Sequence, residues 1–235
     1  MALKALIFDV DGTLADTEMA HMAAFNYAFE TAGLTWLWDL ETYTELLEVS
    51  GGKERIRHYW NQRPDRGVQV SEERIDSIIP ELHATKTARY EEMVACGEVA
   101  MRPGVLELIK AAKSAGLKLA IATTTTPANI EALLSHAMGD DWQETFTVVE
   151  NAETAPNKKP DPSVYLQALE RLGVSSAEAI AIEDTNNGLR AAKGAELATV
   201  ITPNEFSKHH DFTGADLIVP SLSDVSLEQL AQLIA

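Results

Sequence analysis

The sequence predicts an α/β protein: a parallel sheet covered by helices, with a helical segment inserted after the first strand. Three observations predict it. Residues 3–8, Leu-Lys-Ala-Leu-Ile-Phe, form a short apolar run bounded by acidic and glycine residues, which reads as a buried strand. The residues that follow, up to about 98, show helical spacing and no convincing strand. From Arg102 onward helix, glycine and strand alternate, as expected where crossover helices cover both faces of a parallel sheet.

Taken in order, Met19, Met22, Ala23, Phe25, Ala28 and Phe29 approximate helical spacing, and Gly33 is a helix stop. Further helical stretches cover 40–48, 53–62 and 71–95. Pro103-Gly104 opens a helix running to Gly116, and Leu117 to Ala122 is a strand. Thr126-Pro127 reads as an N-cap followed by proline at the first helical position, starting the helix 128–137. Phe146 to Val149 is a strand, and Asp161-Pro162 repeats the cap-and-proline signal for a helix ending near Gly173. Strands at 179–182 and 198–201 flank the helix 186–194, and Leu217 to Val219 is a last short strand. The core is therefore assigned to residues 1–15 and 99–235, and the helical insert to 16–98.

The chain has 235 residues, 46% of them hydrophobic, enough for a sizeable core. Its formal charge of −17 argues against a polyanion-binding surface, so no nucleic-acid partner is expected. A small anionic substrate met by a few local cations remains open. A single cysteine, Cys96, excludes an internal disulfide framework and suits a reducing, cytoplasmic setting. No apolar run reaches the roughly 18 residues needed to span a bilayer, and the start shows no signal-peptide pattern. No membrane association is expected, and the chain is read as a monomer or weak oligomer.

Phe8-Asp9-Val10-Asp11-Gly12-Thr13-Leu14 follows the first strand, at the carboxyl edge where open α/β sheets bind ligands. Two aspartates at i and i+2, followed by glycine, can both face one pocket. A calcium loop is a poor alternative, because its third ligand and distal glutamate are missing. A second acidic pair, Glu183-Asp184, ends the later strand 179–182. Carboxylates converging from the two loops repel one another unless a cation neutralises them. Oxygen-only ligands favour a hard ion, Mg²⁺ being the natural choice. Thr123-Thr124-Thr125 and Lys158-Lys159-Pro160 add donors suited to phosphate oxygens.

In their order, Asp9-x-Asp11-Gly-Thr, a strand ending in Thr123, Lys159 and Glu183-Asp184, these motifs resemble the haloacid-dehalogenase superfamily of aspartate-nucleophile phosphotransferases. The resemblance spans essentially the whole chain, with the insert as the family's helical cap and the first strand central in the sheet. It implies that Asp9 attacks phosphorus and binds Mg²⁺. Asp11 is implied as general acid and then base, lending its backbone carbonyl to the metal. Asp184 is implied as a metal ligand, with Glu183 a further or outer one. Thr123 and the Thr124 amide are implied to hold the phosphoryl group, and Lys159 to offset its charge. Dehalogenation, the competing chemistry of the superfamily, does not need Asp11.

Asp16-Thr-Glu-Met-Ala-His21, Gly51-Gly52-Lys53-Glu54-Arg55, His83-x-x-Lys86 and the threonine run 123–126 further resemble the CbbY-like subgroup. Its members hydrolyse sugar bisphosphates, notably xylulose 1,5-bisphosphate. The likeness implies that Asp16, Gly51, Gly52, Lys53, Glu54, Arg55, His83, Lys86 and the Thr123–Thr125 loop bind substrate. Position 16 carries Asp where the subgroup is expected to carry Glu. The rival readings are a β-phosphoglucomutase-like sugar phosphomutase, a broad-specificity sugar-phosphate phosphatase, and a non-catalytic module on a decayed scaffold. Trp36 and Trp38 are read as packing, His209-His210 as polar loop, and Cys96 as a small apolar residue. For His21, substrate contact and a structural hydrogen bond are weighed equally.

Overall fold

The computed structural model describes residues 3–234; Met1, Ala2 and Ala235, at the outer ends of the assigned core, lie outside the described residues. Six strands, β1 (Ala5–Phe8), β2 (Lys118–Ala122), β3 (Val148–Glu150), β4 (Ala179–Glu183), β5 (Ala198–Ile201) and β6 (Leu217–Ile218), make one sheet in the order β3-β2-β1-β4-β5-β6. Every neighbouring pair is parallel. β1 is central and wholly buried, which explains why Ala-Leu-Ile-Phe is continuously apolar rather than alternating.

The helices of this part are α5 (Val105–Ser114), α6 (Pro127–Met138), α7 (Ser163–Leu172), α8 (Asn186–Gly194) and α9 (Leu227–Gln232). Ala5, Ala120, Ala122, Ala179 and Ala181 join one core cluster with Val164, Tyr165 and Ala168 of α7 and Ala191 and Ala192 of α8. Such small strand side chains let a helix backbone come close to the sheet. The alternate residue Phe8 meets the Phe146 ring edge-on at a centroid distance of 6.4 Å.

Several local expectations are corrected. β1 begins at Ala5, not residue 3, and β3 at Val148, because Phe146 serves as a packing ring against Phe8 and Trp142. Pro127 does open α6, but the Thr126 hydroxyl makes no cap bond and is buried without a hydrogen-bond partner. α7 starts at Ser163, and the Asp161 carboxylate accepts its N–H at 2.9 Å from just outside the helix. α9 has no counterpart in the sequence reading; a capping box of Ser226 and Gln229 starts it.

The chain divides into two compact units. One runs up to Thr17 and resumes at Val99, and the other is Glu18–Glu98. Asp16 therefore groups with the sheet unit. The second unit is helical: α1 (Glu18–Thr31), α2 (Leu40–Leu46), α3 (Gly52–Gln62) and α4 (Ile75–Ala95), the last starting later than residue 71. Trp38 packs on Phe25 and Phe29 at 4.5 and 5.0 Å, and the Asn26 side-chain amide exchanges two 2.8 Å hydrogen bonds with the Trp38 backbone. Trp36 and Trp38 are buried packing residues. Cys96, by contrast, is exposed at the C-cap of α4 rather than packed as an apolar residue, because the helix ends there. No helix among the described residues is long and apolar enough to cross a membrane.

Gly104 caps α5 at φ +82°, and a Cβ there would lie 2.1 Å from the Ser223 backbone nitrogen. Gly104→Ala adds both left-handed strain, about 1–2 kcal/mol, and a backbone clash. A melting temperature lower by several degrees in differential scanning calorimetry is the expected outcome; an unchanged one contradicts this account.

Candidate active site

Register decides what meets at the sheet edge. Phe8 pairs with Ile121 and with Ile182, so the next residues of the three strands, Asp9, Ala122 and Glu183, come level. The Asp9 N–H donates to Ile182 O at 3.0 Å and holds the residue in line with the ladder. Thr123 follows β2, and its N–H donates to Glu150 O. Lys159 reaches this edge from the loop before α7. Its ammonium donates to Asp9 Oδ1 at 2.6 Å, Glu183 Oε1 at 2.5 Å and Ala122 O at 2.7 Å. All three protons of the ammonium are thus used.

Asp9, Lys159, Glu183 and Asp184 are all buried. Burial pushes the Asp9 carboxyl up to about 7; Lys159 opposes the rise, and the Glu183 and Asp11 charges add to it. Burial also works against the Lys159 charge, but Asp9 and Glu183 more than offset it and hold the amine above its ordinary value, so it is cationic. Asp9, Glu183 and Asp184 each present a carboxylate oxygen, and these lie within 4.8 Å of one another. An oxygen-only set of this kind suits a hard divalent cation.

Within that set the roles differ. Glu183 Oε1 accepts from both Lys159 and the Tyr165 hydroxyl (2.6 Å), and Oε2 accepts the Asp184 N–H at 3.2 Å. Glu183, implied by the resemblance as a further or outer metal ligand, belongs to this three-carboxylate set and also anchors Lys159. Asp184 Oδ1 accepts the Thr13 hydroxyl at 3.2 Å, and Oδ2 the Asn204 amide at 2.7 Å. Asp11 is half-buried on the turn after β1, which Gly12 makes at φ +79°. A Cβ on Gly12 would lie 2.4 Å from Asp184 Oδ2, so the turn needs glycine for space as well as conformation.

The threonine run divides its duties. The buried Thr123 hydroxyl accepts the Thr125 N–H at 3.3 Å, while Thr125 Oγ1 accepts from Asn129 of α6 at 2.9 Å. Thr124 is half-buried. Asp16 is exposed and pairs with Arg102 Nε at 3.5 Å. The first motif includes Thr13 without a role for it, and sequence reasoning missed Arg102, Tyr165 and Asn204. The usable signal for Asn204 was its place directly after β5, at the same strand edge as the acidic loops.

In the helical unit, a Cβ on Gly52 would lie 2.8 Å from the His83 ring, so the glycine lets α4 bring His83 to the start of α3, beside Gly51. Lys53 and Glu54 line an open groove of about 440 Å³ with Arg57, His58 and Asp76. Arg55 turns inward: its Nε donates to Leu46 O at 3.1 Å, and its guanidinium sits 5.5 Å from the Tyr43 ring centre. Lys86 is buried, not solvated, and donates to His21 Nδ1 at 2.8 Å. A lysine ammonium has no acceptor, so the His21 Nδ1 is the acceptor of this bond. His21 stacks on Tyr90 at 4.2 Å, which makes it a packed, hydrogen-bonded residue.

Comparison with known proteins agrees with this fold. The family model for haloacid dehalogenase-like hydrolases matches residues 3–196. The plasmid protein CbbY of Cupriavidus necator is 52% identical over 225 residues, covering 94% of this chain and 87% of its own. CbbY of Rhodobacter capsulatus is 45% identical over 99% of this chain and 100% of its own. CbbY from Rhodobacter sphaeroides in complex with phosphate superposes with a TM-score of 0.88 at 41% identity, over 97% of this chain and 99% of that one. An aspartate-to-asparagine mutant of it, in complex with xylulose-(1,5)-bisphosphate, gives a TM-score of 0.89 at 40% identity over the same shares.

The raised Asp9 pKa has a measurable sign. Between about 4, the ordinary range of an unfolded aspartate, and about 7, the metal-free folded state holds a proton that the unfolded state has lost. Its contribution to stability therefore falls as pH rises through that window, by at most about 1.4 kcal/mol per pH unit. In urea denaturation with EDTA, Asp9→Asn is expected to gain stability relative to the parent from pH 5 to pH 7. A gap independent of pH contradicts the shift.

Proposed function

We infer the function from one premise: the chain belongs to the haloacid dehalogenase-like hydrolase family, and CbbY proteins are among its relatives over nearly its whole length. We propose that it is a Mg²⁺-dependent phosphatase that hydrolyses xylulose 1,5-bisphosphate to xylulose 5-phosphate. The observation that carries this reading is the buried Lys159 bridging Asp9 and Glu183 at the carboxyl edge of β1 and β4, with Asp184 beside them. The complex of the CbbY mutant with that bisphosphate supports the choice of substrate.

In the proposed reaction Asp9 is the nucleophile. Lys159 occupies its Oδ1, which leaves Oδ2 to attack phosphorus. The Asp9–phosphorus bond forms as the bond to the sugar oxygen breaks, and Asp11 gives that oxygen a proton. Asp11 then takes a proton from water, whose oxygen attacks phosphorus and frees Asp9 and inorganic phosphate. Thr123 and the Thr124 amide hold the phosphoryl oxygens, and Lys159 keeps an anionic nucleophile compatible with an anionic substrate.

Mg²⁺ fits the donor set, because Asp9 and Asp184 offer hard oxygens and burial without a cation leaves Asp9 prone to protonation. Asp9, Asp184 and the Asp11 carbonyl would hold it, with Glu183 supporting from Lys159. When bound it supplies positive charge to the phosphoryl oxygens and favours the ionised carboxylates. Gly51 to Arg55, His83 and Lys86 of the helical unit, with Asp16, are assigned to recognition of the remainder of the substrate.

A phosphate-release screen over sugar mono- and bisphosphates with Mg²⁺ tests the proposal. The ketopentose bisphosphate is expected to lead, with free phosphate rather than an isomerised sugar phosphate as product. Asp9→Asn is expected to lower turnover by more than about 10³-fold with an unchanged circular dichroism spectrum; retained turnover sinks the nucleophile assignment. Lys53→Ala is expected to raise KM for the bisphosphate well above its effect on a monophosphate. Equal effects contradict recognition of a second phosphate by Lys53.

A further inference from the structure

We propose that Asn204 is a positioning residue for this reaction: its side-chain nitrogen fixes the Asp184 carboxylate against the Gly12 turn, and so sets the orientation on which cation binding depends. The inference rests on the reading of Asp9 and Asp184 as cation ligands. Nothing in the motif order of the sequence points to it, because the contact spans loops that follow different strands.

The loop after β5 starts level with the acidic pair, since the Thr202 N–H donates to Glu183 O at 2.8 Å. Two residues on, the Asn204 side-chain oxygen accepts the N–H groups of Phe206 at 2.8 Å and Ser207 at 3.2 Å. Only the amide oxygen can accept, so those bonds fix which way the group faces. The nitrogen is turned the other way, donating to Asp184 Oδ2 at 2.7 Å and to Gly12 O at 3.2 Å.

Three features separate this from a plain loop contact. The turn is closed by the side-chain oxygen together with local bonds, the Asn204 N–H donating to Ser207 Oγ at 3.0 Å and the Asn204 carbonyl accepting the Ser207 and Lys208 N–H groups, so folding the loop does not need the side-chain nitrogen's two bonds. Asp184 is 2% exposed, so bulk water does not readily replace a lost donor. Arg102 braces both sides of the contact, donating to Gly12 O at 2.5 Å, Thr202 O at 2.6 Å and Pro203 O at 2.9 Å. With Thr13 on the other oxygen, rotation of the Asp184 carboxylate is restrained from two directions.

The chemistry of the donor also fits. A lysine or arginine here would pair with Asp184 and compete with a cation for its charge. A neutral amide orients the carboxylate and leaves the negative charge available.

Titration of the metal-free protein with MgCl₂ in a calorimeter tests the proposal, with the parent, Asn204→Ser and Asn204→Ala compared. A serine hydroxyl can still accept from the Phe206 and Ser207 N–H groups, but it is too short to reach Asp184. Asn204→Ser is expected to keep its melting temperature in EDTA within a few degrees and to bind Mg²⁺ about tenfold more weakly. Asn204→Ala is expected to weaken binding at least as much; if it fails to fold, the serine variant decides alone. Parental Mg²⁺ affinity in Asn204→Ser overturns the proposal. A parent protein that does not bind Mg²⁺ overturns instead the reading on which it rests.

Discussion

A single buried ammonium sets the terms for the rest of the site. Lys159 binds Asp9, Glu183 and the Ala122 carbonyl, and so joins the carboxyl ends of the three central strands, β2, β1 and β4. Breaking a buried pair by removing one partner costs about 3–5 kcal/mol, because the other charge is left uncompensated. The same lysine faces two carboxylates, with Asp184 close by, and cannot neutralise all three. The remaining negative charge is what makes the pocket receptive to a divalent cation; burial is the main upward pressure on Asp9, and the Glu183 charge adds to it.

That cluster needs close packing around it, which small residues supply. Gly12 leaves room for Asp184 and Asn204, and Gly188 for the Glu183 carboxylate, whose atoms would lie about 2 Å from an added Cβ. Alanines on β1, β2 and β4 let α7 approach the sheet, which delivers the Tyr165 hydroxyl to Glu183. Burial raises the Tyr165 pKa well above its ordinary value, so the phenol keeps its proton and acts as a donor. The site is therefore a hydrogen-bonded arrangement whose orientation is built into the packing, as electrostatic catalysis requires.

The acidic balance of −17 takes on a local meaning in this setting. Carboxylates such as Asp39, Asp65, Asp161 and Asp211 are held below their usual range by hydrogen bonds from nearby donors at the protein surface. The acids at the ends of β1 and β4 are buried instead, and there burial raises the Asp9 pKa. The charge count describes the chain as a whole; burial and pairing decide the chemistry of each carboxylate.

The sequence by itself determined the order of the six strands and of the helices up to α8, the helical segment after the first strand, and the core motifs Asp9, Asp11, Thr123, Lys159, Glu183 and Asp184. These were legible because continuous apolar runs, helical periodicity and turn residues are local signals, and because the motifs keep their order along the chain. The tertiary structure alone decided that Lys86 is buried on His21, that Arg55 donates to the Leu46 carbonyl, and that Glu183 anchors Lys159. It alone brought Thr13, Tyr165 and Asn204 to the acidic pair, and Arg102 to the Gly12 turn beside it. Those contacts arise when strands far apart in the chain are set in parallel register, so Gly12 meets Asn204 across 192 positions. Composition and spacing fix which groups a strand end carries; only the register of the assembled sheet fixes which of them touch.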